Sequence, residues 1–400
     1  MRAAPWVAVA VALAGAGLAF WSPALLATGT VVAATGLVSR AWAAAALKGV
    51  TYRRRLTPRR AFPGEEVVFE VEVSNDKLLP VAWLRVADTV PAAVEIQGAR
   101  LGASTRPRAR TLLRWLSLLP YEKLRSRHVV KGPRGLHTFG PAQLDSGDIF
   151  GLYSVGEERS EVDRLVVYPR WQPLASMGFP PGQPLLGART PRALSRDPLR
   201  PVGVREYRPR DSRRNVHWKA TARTGELRVK VEEPVARSAL VVLLNAATFR
   251  RPWIGVNPEG QEAAIAVAAS VAADAIGRRR QVGLIANSTV RARGRPIRVP
   301  PGRRRSHLRR ILEALAAVSS FITQPVERLV AVESRRAPWG ASLVVVTPVV
   351  TPALVAELMR VRRAGRLVSL ISLDPEPPAL PPVLDVRTVP LAAVGAEGSA

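Results

Sequence analysis

Two apolar stretches open the chain, and after them the hydrophobic period changes twice. Trp6 to Phe20 is an unbroken apolar run, Trp21-Ser22-Pro23 interrupts it, and Ala24 to Val38 is apolar again apart from threonines and glycines. A membrane-crossing helix needs about 20 residues to span about 30 Å of hydrocarbon. Each run is somewhat short, but Trp21, Ser39 and Trp42 extend them. The pattern predicts a transmembrane helical hairpin over residues 1–47, turning at Ser22-Pro23. A cleaved signal peptide accounts for the first run but not the second, and Arg2 alone makes a weak charged leader. Ala8, Ala12 and Ala16 offer a small face for close helix approach, although alanine richness alone produces the same spacing.

The next region has period two. Val67, Phe69, Val71 and Val73 alternate with Val68, Glu70 and Glu72, between turn clusters at 61–65 and 74–77. Val81 to Val86 carries Trp83 as a core aromatic, and Thr111–Leu118 and Ser126–Lys131 are further strands. Short strands with frequent turns predict a β-sandwich over 48–170. Prolines at 173, 180, 181, 184, 191, 198 and 201 make 171–202 a linker or lid.

From 236 the period changes again. Apolar strands at 239–244, 281–286, 343–346 and 367–373 alternate with helices at 261–276, 304–318 and 352–363. That order predicts a parallel sheet with helices on both faces over 236–375. A proline-rich, loosely held tail follows at 376–400.

Charge refines the picture. The 400 residues carry a net charge of +28, yet the first 47 contain only Arg2 and Arg40. Lys48, Arg53, Arg54, Arg55, Arg59 and Arg60 follow directly, while the loop between the apolar runs is uncharged. Positive flanks stay inside. The body is therefore expected on the cytoplasmic side of the inner (cytoplasmic) membrane, its basic cluster against anionic lipid. The absence of cysteine excludes disulfides, thiolate metal sites and cysteine nucleophiles. His128, His137, His217 and His307 are scattered, which argues against a histidine metal centre. Ile276 to Arg310 holds twelve arginines and no acid, but also no Phe, Tyr or Trp on which bases could stack. Lipid or an acidic protein suits it better than nucleic acid, and the bland alternative is an arginine-rich solvated hairpin at 290–299 and a helix start.

The segment 203–235 is the most specific. Val204–Tyr207 reads as a strand, Asp211 or Ser212 as the cap of a helix running to about Arg223, and Gly225 as its C′ residue. Leu227, Val229 and Val231 then alternate as a strand. Arg205, Glu206, Asp211, Arg214 and Arg223 crowd this short unit. Asp211 and His217 could share acid–base work. A buried, mutually paired network, with His217 and Trp218 as core residues, explains the same set and is preferred.

Arg205-Glu206-Tyr207, Asp211, Arg214, His217-Trp218, Ala222-Arg223 and Leu227 resemble the signature of a bacterial family, domain of unknown function 58. A second block matches at Gly132-Pro133-Arg134-Gly135, Gly140-Pro141 and Asp148-Ile149-Phe150-Gly151-Leu152, with Ile149 where the family usually has proline. The resemblance implies a sandwich-like region, a von Willebrand factor A-like domain and a MoxR-type AAA+ ATPase as partner. Domains of that type often hold Mg²⁺ through Asp-x-Ser-x-Ser. Here those positions are Asn245, Ala247 and Phe249, and Thr347-Pro348 follows a later strand without an acid. No metal or cofactor is expected, since hard cations need carboxylate oxygens.

The expected protein is thus multidomain: transmembrane hairpin, β-sandwich, then α/β von Willebrand factor A-like domain. Its expected role is a non-enzymatic membrane-anchored adaptor, with no phosphate-binding loop of its own. The alternative is an enzyme acting on an anionic envelope-related substrate through the Arg205–Arg223 cluster.

Overall fold

A computed structural model of the chain describes residues 5–180, 196–209, 211–234, 239–251, 254–289, 296–338 and 340–395. It divides into two units, Met1–Val167 and Tyr168–Ala400.

The first unit begins with α1 (Pro5–Ala19) and α2 (Pro23–Ala46), which pack on each other across a tight turn. Their contact face is not the expected Ala8–Ala12–Ala16 row. Ala10 and Gly17 are buried instead, and a side chain at Gly29 would press on the backbone of Ala10 and Ala14. The C-terminal carbonyls of α2 are capped from the body, where Lys77 Nζ donates to the carbonyls of Ala46 and Lys48, both at 2.6 Å.

Twelve strands follow: β1 (Val50–Thr57), β2 (Arg60–Ala61), β3 (Val67–Asn75), β4 (Val81–Pro91), β5 (Glu95–Ile96), β6 (Leu101–Ala103), β7 (Ala109–Leu118), β8 (Lys123–Lys131), β9 (Gly135–Phe139), β10 (Ala142–Gly147), β11 (Ser154–Arg159) and β12 (Asp163–Val167). They form sheets of order β1-β3-β8-β5, β11-β10-β4-β7-β6 and β2-β12-β9. Val67, Phe69, Val71 and Val73 of β3 meet Leu84, Val86, Val90 and Leu144 of the second sheet in one core. The period-two reading therefore held for β3. It failed at Trp83. An irregularity between Val81 and Leu84 shifts the alternation, so Leu84 is buried and Trp83 is only half-buried. Trp83 packs on Trp115 with ring centroids 6.0 Å apart and donates its indole N–H to the Asp148 carbonyl at 3.1 Å.

In the second unit, a 3₁₀ turn at Leu174–Met177 lies in the stretch read as a linker, and 181–195 lie outside the described residues. The strand β13 (Arg196–Glu206) starts inside that stretch and pairs antiparallel with β14 (Arg228–Pro234), with α3 (Trp218–Thr224) between them. The remaining elements are β15 (Leu240–Leu244), α4 (Pro258–Gly277), β16 (Val282–Ala286), β17 (Ile297–Gly302), α5 (Arg305–Ala316), α6 (Val326–Arg336), β18 (Ser342–Thr347), α7 (Pro352–Arg363), β19 (Leu367–Ser372), β20 (Asp385–Thr388) and α8 (Leu391–Gly395).

Their sheet has the order β17-β16-β15-β18-β19-β20, parallel except for the β17 edge. Fully buried strands such as LVVLL and SLVVVT need cover on both faces. One face takes α6 and α7; the other takes α4, against which α5 and α8 pack. One part of the reading is corrected. The tail is not loose over residues 385–389, because β20 adds a parallel strand beside β19 and Val389 is buried. Within the basic segment, residues 297–302 pair antiparallel with β16, as one arm of the expected hairpin, while 290–295 lie outside the described residues.

Candidate functional site

Three polar constellations stand out, and the signature is the first. Arg205 leaves β13 and grips Asp211 with both nitrogens, Nη1 to Oδ2 at 2.6 Å and Nη2 to Oδ1 at 2.5 Å. Asp211 also accepts from the Arg208 backbone N–H at 2.9 Å. The Arg205 bonds, then that backbone bond, hold the Asp211 carboxyl at about 2. Asp211 therefore pins a turn rather than capping the helix. The cap of α3 is His217, whose Nδ1 accepts the Ala220 N–H at 3.1 Å. Gly225, at φ 72°, closes the helix in the left-handed conformation expected of a C′ glycine.

The cluster is not buried. Arg205 is 39% exposed, Glu206 and Arg223 face solvent, and Trp218 is 70% exposed. Arg228 approaches Glu206 at 3.8 Å and Glu226 at 3.1 Å. The expectation of a closed internal brace is overturned, because a seven-residue helix on a two-stranded ribbon has too little mass to cover these charges. Tyr207 continues the ribbon, its N–H bonded to the Leu227 carbonyl at 2.9 Å. The Arg214 side chain lies outside the described residues.

The second constellation sits at the carboxyl ends of β15 and β18. Chain order reverses direction across the sheet there, and crevices for ligands form at such points. Asn245 Nδ2 donates to Thr347 Oγ1 at 2.9 Å, and Asn245 Oδ1 accepts from Asn287 Nδ2 at 2.7 Å and the Ala247 N–H at 3.1 Å. Asn287 Oδ1 takes the Ala246 N–H at 2.7 Å, and Thr347 Oγ1 donates to the Val349 carbonyl at 2.6 Å. Asn245, Ala247 and Thr347 are thus brought together, and all are buried. Neutral amide and hydroxyl groups satisfy one another at this end of the sheet. Asn287, and Asp374 with its Oδ2 on the Val350 N–H at 2.8 Å, were not singled out by sequence. Their only sequence signal is position just after an apolar strand.

The third lies inside the first unit. Tyr52 Oη donates to Asp88 Oδ2 at 2.6 Å and Arg54 Nη1 to Asp88 Oδ1 at 2.7 Å. Arg54 also reaches Asp163 at 3.6 Å and donates to the Glu161 carbonyl. Burial pushes the Asp88 carboxyl up to about 6, against the pull of Arg54 and Tyr52. Burial, then Asp88, pushes the Tyr52 hydroxyl well up. Gly140 explains itself here: a Cβ would fall 2.3 Å from the Arg54 guanidinium. Arg54 therefore belongs to the core, not to a lipid-facing basic cluster. At the other end of β10, in the second sequence block, Asp148 accepts the backbone N–H groups of Phe150, Leu152 and Tyr153 at 2.9, 3.3 and 2.7 Å. Burial raises that carboxyl, and the N–H groups of Tyr153, Leu152 and Phe150 outweigh it, leaving it below its usual range. Among the described residues, no group of three or more His, Asp or Glu is placed to hold a metal.

The geometry defines a parallel-sheet unit carrying an exposed charged ribbon, together with a β-sheet unit carrying two apolar helices. A family model described as "Protein of unknown function DUF58" matches residues 203–391, which is the ribbon plus nearly all of the parallel-sheet region. Among curated proteins, the chain is 23% identical over 207 residues to an uncharacterized protein, YeaD, of Bacillus subtilis (strain 168). That match takes in 50% of this chain and spans about half of the relative, 48% of its length. Among solved structures, the CARDB domain of a Pyrococcus furiosus protein is 15% identical, covering 30% of this chain and 91% of its own, at a TM-score of 0.20. Spo0M, a sporulation control protein from Bacillus subtilis, is 18% identical, covering 30% and 49%, at a TM-score of 0.18. Similarity at that level carries no argument about fold or function.

Proposed function

We propose that the chain is a non-enzymatic adaptor anchored in the inner membrane, with its body on the cytoplasmic side, working with a MoxR-type AAA+ ATPase. The observation that carries the anchoring is α2, an apolar helix of 24 residues, long enough to cross a bilayer, with α1 packed along it. The uncharged turn at Phe20–Ser22 and the basic residues from Lys48 onward support the sidedness.

The adaptor role draws support from how the polar groups are spent. Asn245, Asn287 and Thr347 satisfy each other, and Asp211 gives both oxygens to Arg205. What the signature offers outward is an arginine-rich ribbon with an exposed Trp218, a composition suited to a protein interface. The von Willebrand factor A-like reading of the parallel-sheet region, and the ATPase partner, rest on the family resemblance. The test is affinity purification of the full chain from solubilised membranes. An AAA+ ATPase should co-purify, and W218A or R205E should lose it. Reproducible absence of any such ATPase contradicts the partnership.

A further inference from the structure

Strand register in the first unit places four connections at one end. Val50 pairs with Asn75, Lys123 with Ser74, Val81 with Leu118, and Gly147 with Ser154. The ends of β3, β7 and β10 therefore gather around the point where α2 enters β1. The loops there carry Leu78, Leu119, Tyr121, Ile149, Phe150 and Leu152, each between 44% and 74% exposed. The opposite end, at 57–66, 91–100, 132–141 and 160–162, shows Leu136 at 39% and Val162 at 49% as its large exposed apolar residues. Exposed apolar surface is concentrated where the helices leave.

The loops are also tied in place. Asn75 Nδ2 donates to the carbonyls of Leu79 and Leu119, both at 3.0 Å. Asp148 holds the 149–153 loop by three backbone bonds, and Trp6 Nε1 donates to Tyr153 Oη at 2.6 Å. The Trp6 ring in turn lies against Gly36, where a Cβ would come within 2.3 Å of it. The 149–153 loop thus stands level with the start of α1.

Helix length supplies the second observation. The 15 residues of α1 rise about 22 Å. The part of α2 before Ser39, where burial against the β-sheets begins, rises about 24 Å. These free stretches fall short of the roughly 30 Å of hydrocarbon, although α2 as a whole is long enough to cross it. A short span is accommodated by local thinning of the bilayer, which brings the residues flanking the helices to the lipid interface.

We infer that the loops at 78–79, 119–121 and 149–152 form an apolar collar that rests in the lipid interface around the helix pair, seating the sandwich on the membrane. The inference rests on the membrane anchoring proposed above. Lipid is the occupant because the collar is continuous with the exposed apolar faces of α1 and α2. Tyr121 supplies the amphipathic ring that interfaces favour.

The absence of native cysteine permits single-cysteine probes in the full chain. An environment-sensitive fluorophore is attached at L78C, F150C, V31C or V162C, and the protein is reconstituted in phosphatidylcholine–phosphatidylglycerol vesicles. Spin-labelled lipids carry the quencher either high or deep on the acyl chain. Blue-shifted emission at 78 and 150, lost to the high quencher, is expected, with 31 lost to the deep quencher and 162 unaffected. Quenching at 31 without quenching at 78 and 150 overturns the collar and leaves the anchoring intact. No quenching at 31 overturns the anchoring and the collar together. Equal quenching at 162 also overturns the collar, since the probe itself would then be seeking lipid.

Discussion

Among the arginine–aspartate pairs of the described residues, two of nearly the same length sit in opposite surroundings. Arg54 and Asp88 meet at 2.7 Å with side chains 2% and 1% exposed. Arg205 and Asp211 meet at 2.5 Å with Arg205 open to solvent. Burial raises the Asp88 carboxyl to about 6, whereas hydrogen bonding lowers the Asp211 carboxyl to about 2. Surroundings, not distance, decide what a pair does. The buried pair braces two sheets, and the exposed one shapes a turn at the surface.

The largest effect should come from breaking the buried pair. Asp88→Ala removes the buried carboxylate that pairs with Arg54, leaving it Asp163 and the Glu161 carbonyl, at a cost of about 3–5 kcal/mol. Denaturant melts of the full chain in detergent should show the β-sheet transition lost or shifted far down. An unchanged transition would erase the contrast.

Next comes pH. The Asp88 carboxyl is raised in the folded state, so the native chain binds a proton that the unfolded chain releases. Its contribution is full below the ordinary value of 3.8 and is lost as pH rises through about 6. The span amounts to about 3 kcal/mol. Stability of the first unit should therefore fall between pH 4 and 6. Asp88→Asn should flatten that slope, whatever its effect on the absolute midpoint. The sign is reversed at Asp211, where stability is present above 3.8 and is lost only as pH falls through about 2.

Arg205→Ala and Asp211→Ala should leave melting near wild type, because exposed pairs contribute little. Partner capture should fall all the same. A large drop in melting temperature in both variants would restore the buried-brace reading and remove the distinction drawn here. Smallest of all is the effect of Mg²⁺. Asn245 and Thr347 already satisfy each other, so millimolar Mg²⁺ should not move the melting temperature. A saturable rise, lost in N245A, would reveal a cation site.

How much of this was legible depended on how local the cause is. Leu240–Leu244 and Pro352–Arg363 announce themselves by period, and the observed elements agree within a residue or two. The four-residue strand Asp385–Thr388 sits among prolines and exists because β19 offers it an edge. The irregularity before Leu84, which turns Trp83 from the core, leaves no mark in composition. Arg54 and Asp88 are 34 residues apart and lie in different sheets, so only the packing of one sheet on the other joins them. The signature's chemistry was readable, but its exposure was not, since burial depends on what packs over a ribbon.

The central claim is that the chain is held in the membrane by α1 and α2 with its body in the cytoplasm. Full-length fusions at the C-terminus to green fluorescent protein and to alkaline phosphatase test it most directly. Fluorescence confined to the membrane fraction, with no phosphatase activity, is the expected result. Strong phosphatase activity, or release of the body as a soluble periplasmic protein, would contradict the account and revive the cleaved signal peptide.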